Sequence, residues 1–76
     1  MKELLEHIAR LLVEHPDDVS VTEVDADGEL ILELRVAEDD MGKVIGKQGR
    51  IAKAIRVVMK ASAVNEDRKV IVEIVQ

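Results

Sequence analysis

Residues 41–56 have the sequence MGKVIGKQGRIAKAIR, in which two glycines three positions apart separate two stretches of apolar residues at helical spacing. Glycine at both ends of a short loop permits backbone angles closed to other residues and lets a ligand approach the main chain. Gly49 also precedes the second stretch, and the first N–H groups of a helix attract anions. The pattern predicts a loop that holds nucleic-acid phosphate. On the glycines alone, the simpler alternative is favoured, in which Gly46 ends one helix and Gly49 is a turn residue.

The charges around this loop are strongly segregated. From Met41 to Asn65 the chain has no acidic residue, whereas all 16 Asp and Glu residues lie elsewhere and the net charge is −5. An ordinary solvated helix face would include carboxylates as i, i+4 partners of its cations. We therefore predict a basic surface on an acidic protein, whose overall charge opposes general binding of polyanions. Its cations are Lys43, Lys47, Arg50, Lys53, Arg56 and Lys60.

Composition excludes several classes of protein. A chain of 76 residues predicts one domain, over residues 1–76, with a small core. It has no cysteine and two histidines, which excludes disulfides and thiol chemistry and disfavours a zinc site. Phe, Tyr and Trp are absent, so no aromatic platform exists for stacking bases as in RRM or OB-type modules.

No catalytic constellation, cofactor motif or metal site is found in the sequence. The glycine spacing does not match a P-loop, and Asp39 and Asp40 are adjacent instead of forming an acid/base pair. The first residues form a charged amphipathic pattern, and no run of about 18 apolar residues occurs. We expect a cytoplasmic protein that is not an enzyme, binds no cofactor and has no membrane partner.

Hydrophobic periodicity predicts a helix followed by a hairpin in the first half of the chain. The helix spans Lys2 to about His15 and is ended by Pro16. A strand over Val19–Val24 is expected, with a bulge or early exit because Val24 lies out of phase with Val19 and Val21. A turn follows at Asp25–Gly28, and a strict alternation predicts a second strand over Glu29–Val36.

The second half of the chain is predicted to contain two helices followed by a strand. Asp39 or Asp40 is expected to cap a short helix that ends at Gly46. The next helix is expected to run to about Ala63. A last strand is expected over Lys69–Val75. On the helical wheel, Ile51, Ile55, Val58 and Ser62 share the face predicted to enter the core.

The predicted element order is α-β-β-α-α-β, an α+β fold. The hairpin makes the first two strands antiparallel, and a crossover through two helices makes the last strand parallel to the second. We expect a three-stranded mixed sheet with three helices on one face.

The segment Val44–Gly49, followed by a basic helix, resembles the VIGxxG signature of the KH domain, and the preceding helix and hairpin match its bacterial type II arrangement. More closely, residues 40–56 are similar to the KhpA family, small bacterial proteins that consist of a single KH domain. The resemblance covers the whole chain. It departs from many KH domains at Ala52, where isoleucine is common, so base preference does not carry over.

This resemblance implies a site for single-stranded RNA. In the family the loop clamps the backbone of about four nucleotides, and bases lie in an apolar groove between the helices and a strand. By position, the backbone-binding residues would be Gly46, Lys47, Gln48, Gly49, Arg50 and Lys53. Groove-forming residues would be Gly42, Val44 and Ile45, and Lys43, Arg56 and Lys60 would support the basic surface. Judged singly, apolar residues at helical spacing favour a core over a groove, and this alternative applies to Val44, Ile45, Ile51 and Ile55.

Two functions follow as hypotheses. The first is a non-enzymatic RNA-binding protein, an RNA chaperone or post-transcriptional regulator, which the resemblance links to cell elongation and envelope homeostasis. The resemblance also implies homodimers and pairing with a second KH-containing protein of the KhpB type. The alternative is an interaction module with little RNA affinity, whose contact patch is Ile31, Ile71 and Val75 on the open face of the sheet.

Overall fold

A computed structural model describes residues 1–46 and 49–75; Lys47, Gln48 and Gln76 lie outside the described residues. The elements follow the predicted order, with a short 3₁₀ turn at Pro16–Asp18. None of the described helices is long and apolar enough to cross a membrane. The helices are α1 (Lys2–Leu12), α2 (Glu38–Ile45) and α3 (Arg50–Ser62), and the strands are β1 (Ser20–Ala26), β2 (Glu29–Arg35) and β3 (Lys69–Val75).

The sheet has the order β1-β2-β3, antiparallel between β1 and β2 and parallel between β2 and β3, as predicted. The hairpin turns through Asp27 and Gly28, whose φ angles of 46° and 79° match a type I′ turn. Every residue from Ser20 to Ala26 has a partner in continuous register. The expected bulge was therefore wrong: Val24 simply lies on the opposite face from the buried Val21.

The core forms around the central strand. Its alternating leucines are almost fully buried beneath α1 and α3, and α2 packs against α3. Because β2 has a strand on each side and helices over one face, the leucines on that face are shielded from water. The α+β class and mixed sheet are confirmed. The main cluster contains Leu5, Ala9, Val19, Val21, Leu30, Leu32, Leu34, Ile55, Met59 and Val72.

The phase of α3 differs from the prediction. Ile55 is buried as expected, but its buried companions are Ala52 and Met59, while Val58 and Ser62 are exposed. The flexible thioether side chain of methionine can fill an irregular space in a core, and a small alanine permits close approach of the backbone. The helical period was therefore correct, whereas the face was displaced toward Ala52.

The end of α1 and the start of α2 correct two further expectations through one side chain. Asp40 is 1% exposed, and its carboxylate accepts N–H groups from Glu14 and His15 at 3.0 Å each. These amides consequently do not continue α1, which ends at Leu12 and not near His15. The predicted capping role was wrong, since Ala37 is the N-cap of α2 and no side-chain cap is found there.

Candidate nucleic-acid interface

The two glycines of the loop are needed for different physical reasons. Gly46 ends α2 in extended backbone (φ −76°, ψ −179°), but a Cβ there would overlap the carbonyl oxygen of Gly42. Gly49 has left-handed backbone (φ 68°, ψ 30°), which favours glycine, and it is the N-cap of α3. Its N–H donates to the Gly46 carbonyl at 2.9 Å and closes the turn. The glycines thus bring the end of α2 close to the start of α3.

The start of α3 is suited to an anion. The first turn contains no acidic residue, and Arg50 is its first helical residue. Among the described residues no side chain caps its N–H groups. The positive end of the helix dipole and the positive charge of Arg50 therefore both favour an anion at the start of α3.

A cavity of about 410 Å³ lies between α2 and α3 beside this turn. Its volume falls within the range of about 300–1,000 Å³ that is usual for ligand sites. The lining combines two cations, an aliphatic side chain and two residues without side chains. It can therefore offer charge to a phosphate and apolar surface to a base. The lining residues are Gly42, Lys43, Gly46, Arg50 and Ile51.

The remaining predicted cations follow α3 away from the cavity. Lys53, Arg56 and Lys60 are all exposed. Arg56 reaches the edge strand, where its Nε donates weakly to the Val72 carbonyl at 3.5 Å. A second cavity of about 340 Å³ lies there, lined by Arg56, Met59, Lys69, Val70, Ile71 and Val72. The basic surface thus extends from the loop to the edge of β3.

The predicted groove residues separate into three environments. Gly42 lines the first cavity, and a Cβ at this position would meet nothing within 4 Å apart from the adjacent backbone of its own helix. Val44 is buried, so it supports the groove from beneath. Ile45 is 50% exposed but does not line the cavity. Lys47 and Gln48, predicted to hold backbone, lie outside the described residues.

Sequence reasoning missed the partners of Lys43. Its ammonium donates to the Glu14 carboxylate at 2.6 Å. The hydrogen bond and charge of Lys43 lower the pKa of Glu14, and the same hydrogen bond raises the pKa of Lys43. Burial raises the pKa of Asp40, but the N–H groups of Glu14 and His15 outweigh it and lower that pKa. No local pattern signals these contacts, because the partners lie 25 to 29 residues apart.

Ile51 and Lys69 also line the cavities without having been assigned to the site. Ile51 carried a signal, since it shares a helix with the loop cations. Lys69 did not, because it lies outside the acid-free stretch and only the return of β3 brings it close to Arg56.

One group of side chains has the composition of a metal site. Glu14, His15 and Asp40 offer ligand atoms within 4.8 Å of one another. Both Asp40 oxygens, however, already accept backbone N–H groups, and the Glu14 carboxylate binds the Lys43 ammonium. These donors satisfy the carboxylates, and we assign no metal to this group.

Comparison with known proteins identifies the family. The family model "KhpA/KhpB, KH domain" matches residues 2–74. "RNA-binding protein KhpA" of Clostridium acetobutylicum is 64% identical over 75 residues, which cover 99% of this chain and all of that protein. Proteins of the same name from Clostridium perfringens and Listeria monocytogenes are 63% and 47% identical, covering 99% and 100% of this chain and all of each relative. No solved structure matches. The chain therefore belongs to the KhpA/KhpB family of KH domains.

Proposed function

We propose that this chain binds single-stranded RNA, with the sugar-phosphate backbone at the loop 46–49 and bases in the adjacent groove. This proposal rests on the glycine turn at the start of α3. Among the described residues no side chain caps this start, and the cavity beside it is lined by Lys43 and Arg50. The helix dipole and two cations favour a phosphate at that point. The KhpA relatives are named RNA-binding proteins, which supports RNA as the nucleic acid.

In the proposed site, the residues that hold the RNA backbone differ from those that contact the bases. Gly46, Lys47, Gln48 and Gly49 hold the backbone, while Arg50 and Lys53 add phosphate contacts. Ile51 gives a base apolar surface, and the chain contains no aromatic side chain for stacking. Because a single small aliphatic groove reads few base edges, we expect weak binding with little sequence preference.

We further propose a non-enzymatic role over residues 1–76 as a single KH domain, acting as an RNA chaperone or post-transcriptional regulator in the cytoplasm, where its RNA ligand occurs. Lys43, Arg56 and Lys60 support the basic surface. A role in cell elongation and envelope homeostasis rests on family resemblance alone.

The direct test replaces both inner loop residues. The double variant Lys47→Asp, Gln48→Asp places two carboxylates where phosphate is expected, and it should abolish RNA binding while circular dichroism and Tm remain those of a folded chain. The matched control is Lys2→Asp, Gln76→Asp, which makes the same charge change at the termini. Unchanged RNA affinity in a folded loop variant would overturn the proposal.

A titration of isotope-labelled chain with short RNA and DNA oligomers would locate the site. We expect amide shifts concentrated near Gly46 to Lys53 that fade as salt is raised, because phosphate contacts release counterions. The RNA and DNA series would show whether the site distinguishes the two sugars.

A second proposed activity is self-association and pairing with a KhpB-type KH protein. It is favoured by large apolar side chains exposed on α1 and α3, two helices that pack against each other: Leu11 is 72% exposed and Val57 68%. The earlier candidate patch on the sheet is less exposed, since Ile31, Ile71 and Val75 are half-buried. Pairing two weak RNA sites would raise the affinity for a long RNA through avidity.

A further inference from the structure

Helix α2 holds the segment that follows α1 at two points. The carboxylate of Asp40 accepts the backbone N–H groups of Glu14 and His15. One turn further along α2, the ammonium of Lys43 binds the side chain of Glu14. Residues three apart lie on the same helix face, so a single face of α2 binds both the backbone and the side chain of Glu14.

This double contact places the Glu14 carboxylate next to one of the two cations that line the cavity. Lys43 lines the cavity between α2 and α3, and its Nζ lies 2.6 Å from Glu14 Oε1. Exposed ion pairs usually gain little, because two long side chains must be ordered. Here the Glu14 backbone is already held by Asp40, which reduces the freedom that the pair must restrict.

The two cations of the cavity are consequently not equivalent. Lys43 is paired with Glu14, whereas no ion pair to Arg50 is found within residues 1–46 and 49–75. An ammonium has three hydrogens, but the Glu14 carboxylate takes one of them and offsets the charge, so a phosphate oxygen is attracted less to this Lys43 than to an unpaired ammonium. A ligand that contacts Arg50 alone leaves the Glu14 pair intact, whereas one that also contacts Lys43 must share the ammonium with a carboxylate or displace it.

We propose that Glu14 is an affinity-determining residue of the RNA site, an internal competitor that occupies Lys43 and weakens the binding of phosphate in the groove. This inference rests on the proposed function, since it requires RNA to enter the cavity. It predicts that the free protein is held below its maximal RNA affinity by its own carboxylate. The lowered pKa of Glu14 and the raised pKa of Lys43 agree with a pair that is charged on both sides at neutral pH.

The test is a double-mutant cycle on RNA affinity in the full chain. Glu14→Gln removes the charge but keeps the size of the side chain and leaves the backbone N–H that Asp40 binds. We expect it to bind a short single-stranded RNA about two- to fivefold more tightly at low salt. The slope of log affinity against log salt should steepen by up to about 0.7, the change for one further phosphate contact on a single strand.

Two further variants separate competition at Lys43 from a general change in charge. Glu23→Gln, at an exposed position on β1 with no ion pair among the described residues, makes the same charge change away from the groove and should alter affinity by less than Glu14→Gln. In a Lys43→Gln background, Glu14→Gln should lose its advantage, because the competed cation is gone.

The outcomes distinguish this inference from the proposed function. Tighter binding by Glu14→Gln that depends on Lys43 supports the competitor role. Wild-type binding to RNA with equal affinities of Glu14→Gln and Glu23→Gln would overturn it while leaving the RNA site intact. If the wild-type chain and every variant failed to bind RNA, the proposed function itself would fall, and the competitor role with it.

Discussion

At the scale of single residues, three glycines around the loop have three different environments. Gly46 is required by a close approach to the Gly42 carbonyl, and Gly49 by left-handed backbone. Gly42 has no such requirement within the chain, because a Cβ there would meet nothing within 4 Å. Glycine inside a helix nevertheless costs about 0.5–1 kcal/mol relative to alanine. The space beside Gly42 is therefore open, as the proposed binding of RNA in the groove requires.

Gly46→Ala should destabilise the fold. Its methyl group would overlap backbone, so α2 and the turn must shift, and we expect a loss of roughly 1–3 kcal/mol in the free energy of unfolding. Urea denaturation measures this directly. Gly49→Ala is the comparison, with an expected cost of about 1–2 kcal/mol from left-handed backbone alone. Wild-type stability of Gly46→Ala would contradict the close approach.

Gly42→Ala should separate stability from binding. Alanine has the higher helix propensity and no steric conflict at this position, so the free energy of unfolding should rise by about 0.5–1 kcal/mol. The methyl group would occupy the cavity, however, and RNA affinity should fall by roughly fivefold or more. Fluorescence anisotropy with a labelled RNA measures the second effect. Unaltered affinity would show that RNA does not approach α2 at this point.

At the scale of elements, α2 is the part of the site whose position depends most on polar contacts. Met41 and Val44 bury its apolar side, and the Asp40 carboxylate ties its first turn to residues 14 and 15. The carboxylates of Glu38 and Asp39, in the same turn, also interact favourably with the positive end of the helix dipole. One buried acid thus ends α1 and orients the helix that leads into the loop.

Asp40→Asn should lower stability and change its pH dependence. The Asn side chain has one acceptor oxygen, so its NH2 group would face one of the two backbone N–H groups that both need an acceptor. Tm at neutral pH should therefore fall by roughly 5–10 °C. In the wild type, the lowered pKa of Asp40 means that its contribution is present above the ordinary value of 3.8 and is lost as pH falls through the lower, folded-state pKa.

Thermal unfolding of both proteins between neutral and acidic pH measures this difference. The gap in Tm should narrow as the pH falls below the ordinary carboxyl range, where Asp40 gains a proton. Glu14 titrates with the same sign in both proteins, because Lys43 lowers its pKa. The Asp40 charge opposes that lowering in the wild type only, so the change in the Tm gap also contains a contribution from Glu14. A gap that stayed constant to the lowest pH would contradict the role of the Asp40 charge.

At the scale of the whole molecule, charge and apolar surface are distributed unevenly. The basic stretch from Met41 to Asn65 forms α3 and the end of α2, while the acids lie on the first turn of α2 and on the rest of the chain. A net charge of −5 repels nucleic acid at long range, so the proposed binding would depend on local contact at the groove. The exposed apolar side chains of α1 and α3 lie apart from the open face of the sheet.

Self-association should depend on the helices and not on the sheet. Val57→Glu would bury a charge in a dimer formed through α1 and α3, weakening it by at least about tenfold. Val24→Glu is the control on the open sheet face, where Val24 pairs with Ile31 and Ile31 with Ile71. Sedimentation equilibrium measures both. Dissociation by Val24→Glu alone would assign the interface to the sheet, and a strict monomer at high concentration would exclude homodimers.

Local features were predictable from the sequence because their causes are local. The Asp27-Gly28 turn, the alternating leucines of β2 and the helical period after Gly49 each depend on residues within a few positions. Element order then limits the sheet to an antiparallel hairpin and a parallel return. The family resemblance rested on residues 40–56 together with the order of elements around them, and it was confirmed over residues 2–74.

By itself, the sequence determined the α+β class, the strand pairing and the segment of the candidate site. Only the tertiary structure decided where α1 ends, which face of α3 is buried and which groove cation is paired. The spacing of apolar residues predicts that a segment is helical, but which face of the helix is buried depends on the elements that pack against it, as Ala52 and Met59 illustrate. The contacts of Asp40 and Lys43 with Glu14 span 26 and 29 residues, and a carboxylate has no local signature of so distant a partner.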